Sequence, residues 1–337
     1  MYVFVCARCD AELTVPLTRV VLPLHAHQQY GNGLQLPVLM DSGTFAVEAA
    51  SGASVVAPGD ARGVVLIPQG LGSACCGLDG GEGPNTACEA CGLPVASRID
   101  DCSLWQALWL DPDAVRRRSV PGGHDGPRSW SELVARNDGV PPFEPIAPWA
   151  SPFGASDRWH WSPRWVAAGG QALAHLLLAS DGRAVAVPDG LAAEMFQRDL
   201  DALLPAGPPT RHAVLAGPEL PAPASDAGIL LVPSHPETGE VWTPPGRSDA
   251  YPVPFPFGVW LRLAFPEAEP ALPGAGSVAA GALRDDPPAP RSHDRFRFDT
   301  EVFERTLERA PVSADRWNGG RAPRPGEAVS GPRRVRP

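Results

Sequence analysis

Two Cys-x2-Cys pairs, Cys6/Cys9 and Cys88/Cys91, are the residues best suited to chemistry in this chain. A two-residue spacer lets one tight turn present two thiolates while its own backbone N–H groups bond the sulfurs. Two such turns supply the four soft ligands of a tetrahedral zinc, each about 2.3 Å from the metal. Gly92 follows the second pair and readily takes the positive φ that such a turn often needs. Asp10 follows the first pair and takes it less readily. Apolar runs flank both pairs, Tyr2–Val5 before the first and Leu93–Ala96 after the second. The expected site is a structural Zn2+ held by Cys6, Cys9, Cys88 and Cys91. Two other readings stay open: thiols that bind no metal, and a redox dithiol. The redox reading wants a Cys-x2-Cys opening a helix after a strand, and neither pair has that context.

At these residues the chain resembles zinc ribbons and zinc knuckles, in which two such turns face each other across a small β-sheet. The resemblance covers the two motifs. It departs in spacing: 78 residues run from Asp10 to Ala87, where a compact pattern has about 15–20. The sheet must then carry a long insertion, or the pairs belong to different sites. The stretch Met1–Asp111 is also similar to uncharacterised proteins of high-GC bacteria, a likeness that implies no activity.

Cys75, Cys76 and Cys102 are unassigned by this scheme. Neighbouring residues of an extended chain point to opposite sides, so at most one of Cys75 and Cys76 can join a given site. His25-Ala-His27 follows a strand-like run and resembles the opening motif of metal-dependent hydrolases. The other histidines show no matching rhythm, and a barrel of about 250 residues would leave no room for the cysteine module; a solvated loop is the expectation. His235-Pro-Glu237 is half of a zinc-deaminase signature, but no cysteine follows Cys102. Gly-x-Ser-x-Gly, His-Glu-x-x-His and Gly-x-Gly-x-x-Gly are absent. The 28 basic residues are all Arg, which excludes a Schiff-base lysine and a Walker A loop.

The elements that must position the cysteines are short. Thr18–Leu24, Phe45–Ala49, Ser54–Ala57, Val64–Pro68 and Leu104–Leu110 read as strands bounded by Gly, Pro, Asp or Asn. They outline a β-rich zinc-binding module over residues 1–111. Residues 112–158, with Arg116-Arg117-Arg118 and a Pro-rich end, read as a connector containing one short helix at Ser129–Val134. Residues 159–265 read as a mixed domain: helices over Val166–Ala179 and Leu191–Leu204, the latter capped by Asp189, and strands over Arg183–Val187, His212–Leu215, Ile229–Val232 and Val259–Phe265. The expected fold class is α+β, or α/β. Residues 266–337 read as a mostly disordered Pro-rich tail with a helix near 299–309 that docks back on the domain. Trp149, Trp159, Trp161 and Trp165 crowd one segment and are expected to be buried between the domains.

With 41 prolines and 35 glycines, the chain is far above the usual Pro and Gly share of about 12%. The missing lysine and the four isoleucines point to codon bias, so only local clustering is read as disorder. A net charge of −10, carried by the first two-thirds of the chain, disfavours nucleic acid. No apolar run is long enough for a membrane span, and Met1–Cys6 lacks a basic leader region. The reading is therefore cytoplasmic. A zinc-stabilised adaptor with a protein partner is the expected role, leaning away from an enzyme. The alternative is a metal- or thiol-dependent enzyme using Cys75, Cys76 or Cys102 near the zinc.

Overall fold

A computed structural model describes residues 1–29, 34–68, 77–81, 83–122, 126–145, 147–148, 159–224, 226–246, 250–266 and 295–310. Cys75, Cys76, Trp149 and nearly all of the Pro-rich tail lie outside the described residues. The architecture is α+β, an antiparallel-rich front half followed by a parallel sheet with helices.

The front half holds β1 (Tyr2–Cys6), β2 (Thr18–Arg19), β3 (Leu34–Gln35), β4 (Thr44–Val47), β5 (Ser54–Val56), β6 (Val64–Leu66), β7 (Thr86–Cys88), β8 (Pro94–Ile99), β9 (Ala107–Leu110) and β10 (Val115–Ser119). Seven of these form one sheet in the order β2-β4-β5-β9-β8-β7-β6, and β1 pairs with β10 across it. Side chains alternate across a strand, and here both sheet faces are covered. Phe45, Val56, Leu108 and Leu110 meet Phe4, Leu13 and Leu17 on the β1 side. Ala46, Val55 and Ala107 meet Leu36, Leu39, Met40 and Trp105 on the other. Phe4 stands edge-on to Phe45 with centroids 5.1 Å apart.

β10 falls in the stretch expected to be a connector. The Arg116-Arg117-Arg118 run becomes a strand because its side chains alternate between partners. Arg116 and Arg118 reach Asp10 (2.6 Å) and Glu12 (2.5 Å), and Arg117 lies over the Tyr2 ring at 4.9 Å. The same stretch holds α1 (Trp130–Arg136), opened by the Ser129/Glu132 capping box, then β11 (Phe143–Pro145) and β12 (Ala147–Pro148). β12 pairs with β3, and β11 pairs with β13 (Trp159–Trp161).

The back half is built on α2 (Pro163–Ser180), an 18-residue helix that is apolar nearly all round and accordingly buried. β14 (Val185–Ala186), α3 (Leu191–Leu203), β15 (Arg211–Leu215), β16 (Ile229–Ser234), β17 (Tyr251–Pro256) and α4 (Phe257–Ala264) follow. The four strands form a parallel sheet in chain order.

Two expectations are corrected here. Val259–Phe265 is not a strand but most of α4; a short, continuous apolar run does not distinguish a buried strand from a buried helix. The strand is Tyr251–Pro256, whose prolines argue against a sheet position. They fall at alternate residues 252, 254 and 256, while Tyr251, just before the first of them, donates its N–H toward the β16 side, to the Gly228 carbonyl at 2.9 Å. The missing N–H groups thus face the sheet edge. The helix α3 is not capped by Asp189 either. Its N-cap is Gly190 at φ 84°, which makes no side-chain cap bond.

Beyond the Pro-rich stretch, α5 (Thr300–Arg309) docks on α2 as expected. Asp299 caps it by accepting from the Val302 N–H at 2.7 Å, and it also accepts from Gln28 of the front half at 2.5 Å. Phe296, Val302 and Phe303 are buried, with Phe296 edge-on to Trp161. Of the clustered tryptophans, Trp161 and Trp165 are buried, but in the core of the back half and not between the domains. Among the described residues no helix is long and apolar enough to cross a membrane.

Candidate metal centre

Each cysteine pair sits on a turn that begins at the last residue of a strand. β1 ends at Cys6, whose N–H donates to the Ala11 carbonyl (2.8 Å) and whose carbonyl accepts from Asp10 (3.0 Å). β7 ends at Cys88, whose N–H donates to the Leu93 carbonyl and whose carbonyl accepts from Gly92, both at 2.8 Å. The two turns share one hydrogen-bond pattern at the same offsets. The residue after the second cysteine is left-handed in both, Asp10 at φ 60° and Gly92 at φ 71°.

The long interval between the pairs is used, not slack. Residues 10–87 supply β2, β4, β5 and β6, which belong to the same sheet as β7. β1 is laid over that sheet by Phe4, Leu13 and Leu17, and its end meets the end of β7. The spacing that departs from a compact ribbon is thus an insertion that builds the supporting sheet.

The four sulfurs come together. Cys6 Sγ is 3.6 Å from Cys91 Sγ and Cys9 Sγ is 3.7 Å from Cys88 Sγ, and all four lie within 4.8 Å of one another. A tetrahedron with metal–sulfur bonds of about 2.3 Å has edges of about 3.8 Å; two of the six edges are close to that length and the others are at most 4.8 Å, so the four thiols are placed to hold one metal ion. The five described cysteines are free thiols. Cys6 and Cys88 are buried, Cys91 is half-buried and Cys9 is exposed, so the site closes inward and faces solvent through one ligand.

The electrostatics of the metal-free cluster are divided. Burial raises the Cys6 thiol, but the N–H groups of Arg8 and Cys9 point at its sulfur and with the neighbouring thiols bring it down to about 7. Cys9 goes the other way. The Ala11 N–H pulls its thiol down, but Cys91, burial, Cys88 and Cys6 outweigh that and push it up to about 12. Four sulfurs this close cannot all ionise by themselves, because like charges oppose one another. A divalent cation removes that opposition.

The other expected or open positions lie elsewhere. Cys102 is buried past the far end of β8, a strand about 17 Å long that starts beside Cys91. His25 and His27 diverge: His25 is buried against Trp105, while His27 pairs with Glu48 at 2.7 Å and stacks on Trp109. His235 hydrogen-bonds the Arg128 carbonyl at 2.8 Å and accepts at Nδ1 from the Glu237 N–H. Among the described residues no histidine or carboxylate joins the four cysteines.

One cleft escaped the sequence reading. It lies between the two halves and is lined by His25, Arg128, Arg136, Arg164, His235 and Glu237 among others. No single motif marks it, because its residues come from six separate segments. Compared with protein-family models, with curated proteins and with solved structures, the chain matches none.

Proposed function

We propose that Cys6, Cys9, Cys88 and Cys91 hold one structural Zn2+, and that the chain is a non-enzymatic cytoplasmic adaptor whose binding surface depends on that metal. The observation that carries this reading is the convergence of four thiols within 4.8 Å of one another, two of the edges close to those of a zinc tetrahedron, with no histidine or carboxylate joining them among the described residues. A catalytic zinc keeps one position for water or substrate; four protein thiolates leave none. Free thiols at ligand spacing also suit a reducing compartment. Zinc would tie the β1 turn to the β7 turn and so fasten β1 and β10 to the seven-stranded sheet.

Cobalt substitution tests it. A Co2+ form with thiolate charge-transfer bands and a tetrahedral visible spectrum, unmoved by azide or added thiols, supports a closed site. A spectrum that shifts on adding such ligands would establish an open position and favour the enzyme reading. A partner cross-linked to the wild-type chain and lost with Cys88→Ser, at equal soluble level, is the expected outcome for the adaptor role. Equal cross-linking to both would break the link between metal and binding.

A further inference from the structure

The parallel sheet opens its carboxyl ends onto a cavity of about 600 Å³ that the metal centre does not touch. Open parallel sheets bind ligands in the crevice outside their strand carboxyl ends, and pockets of roughly 300–1,000 Å³ suit small molecules. One wall is Ser234 and His235, where β16 ends, and Pro256–Gly258, where β17 turns into α4. The opposite wall is Val20–His25 and Leu39–Thr44 of the front half. A smaller hollow adjoins it, and Arg164, Asp41, Asp138 and Val140 line both.

Arg164 is the cation with least to hold it. Arg128 is fixed by Glu237, whose side chain is buried, and Arg136 by Asp138 at 2.8 Å. The partner of Arg164 is Asp41, 3.3 Å away with its side chain 77% exposed, and an ion pair so exposed is worth little. Arg164 also stands in the first turn of α2, where no acidic residue offsets the positive helix end and Ser162 makes no cap bond. A cation there adds to the dipole instead of relieving it.

Residues lining the two hollows beside Arg164 carry unpartnered buried polar atoms. His25 Nε2 and Trp105 Nε1 have no hydrogen-bond partner, on residues each only 4% exposed, and their rings lie 4.6 Å apart. His25 lines the larger cavity, Trp105 and Glu144 the smaller. Each such atom costs about 1–3 kcal/mol if nothing satisfies it, and several in one place mark a position meant for a ligand. Four carboxylates line the two hollows: Glu237 and Asp138 are held by Arg128 and Arg136, Asp41 must give up Arg164 to an anion, and Glu144 would oppose one. Burial pushes the Glu144 carboxyl up, against the pull of Arg164 and of a hydrogen bond with Ser162, which lessens that opposition.

We propose that this cleft binds a small organic anion, a carboxylate or phosphate head on an apolar body. Arg164 and the α2 N-terminus hold the head, the ring N–H groups of Trp105 and His25 complete its hydrogen bonds, and Met40, Leu133 and Val259 line the body.

The test uses the full chain with its metal, phenyl phosphate and phenylacetate as probes, and phenylacetamide and inorganic phosphate as controls. Calorimetry should give a Kd below about 1 mM for at least one organic anion, with both controls at least about tenfold weaker. The better of the two anions identifies the head group. The indole N–H resonance of Trp105, assigned by its loss in Trp105→Phe, should move on binding. Arg164→Gln should weaken binding at least about tenfold without lowering the melting temperature of the ligand-free chain. If that variant is unstable, Arg164→Lys, which keeps the charge but not the fork, should show an intermediate loss. Failure of both anions to bind below about 10 mM, equal binding of the amide, or undiminished binding by both Arg164 variants overturns the proposal. Metal content is measured in each sample, so that loss of zinc and loss of anion binding are read separately.

Discussion

Asp10 and Gly92 occupy the same place in two matching turns, each directly after the second cysteine of its pair and each left-handed. The match is conformational, because the two residue types reach it at different cost. Glycine takes positive φ freely, while other L-residues lose roughly 1–2 kcal/mol there and Asp or Asn somewhat less. A Cβ on Gly92 would meet nothing within 4 Å, so its substitution reports conformation alone. Gly92→Val should destabilise the zinc-loaded chain by about 2 kcal/mol, and Gly92→Asn by under about 1 kcal/mol. Denaturant midpoints check the order; a neutral Gly92→Val would mean that the turn does not hold the left-handed form in solution.

The four clustered cysteines should separate sharply from Cys102 on substitution. Structural zinc supplies an apparent 10–16 kcal/mol in small zinc domains, which is as large as the whole stability of many proteins. Cys6→Ser or Cys88→Ser should therefore abolish zinc binding and the near-ultraviolet signal of the front half. Cys102→Ser should keep about one zinc per chain. Because zinc displaces protons from the thiols, its affinity should also fall as the pH is lowered. Purified protein with less than about half an equivalent of zinc would remove the assignment.

The cysteine spacing carried the metal centre because a Cys-x2-Cys turn is a local structure, complete within five residues. The same was true of the short helix that opens at Ser129 and of the helix near 299–309. What sequence did not disclose depends on partners distant along the chain. Arg116–Ser119 looks like a basic connector until Asp10, Glu12 and Tyr2 stand opposite it. Pro252, Pro254 and Pro256 look like strand breakers until the register shows which edge they face. Arg164 and Trp105 carry no motif, the His-x-His at His25 points to different chemistry, and only the packing of the two halves brings the three together.

His25 makes stability pH-dependent in a defined window. Burial foremost, and then the nearby Arg164 charge, hold its imidazole neutral down to about 3, against an ordinary 6.5. Between those values the unfolded chain binds a proton that the folded chain refuses. The contribution of the buried neutral ring is therefore complete above about pH 6.5 and is lost as the pH falls toward 3, with a slope near 1.4 kcal/mol per pH unit. Denaturant unfolding between pH 6.5 and 4.5 should show that excess slope in the wild type and not in His25→Gln. Equal slopes would mean that His25 is protonated in the fold.

Gly170 lies in the middle of α2, where alanine would be worth about 1 kcal/mol more to the helix. The Asp299 carbonyl oxygen and the Phe303 N–H account for it. A Cβ at Gly170 would stand 2.4 Å from the first and 3.2 Å from the nitrogen of the second, both of them backbone that cannot rotate aside. Gly170→Ala should therefore destabilise the full chain by about 1–3 kcal/mol, the usual cost of overpacking. Deleting residues 291–337 removes Phe296, Val302 and Phe303 from the α2 surface, so that chain should itself melt lower. In the shortened chain the clash is gone and only helix propensity is left, so the same substitution should stabilise it by up to about 1 kcal/mol. Melting temperatures of the four chains give the sign in each background. Destabilisation in both, or a deletion that leaves thermal stability unchanged, would show that α5 does not rest on Gly170 in solution.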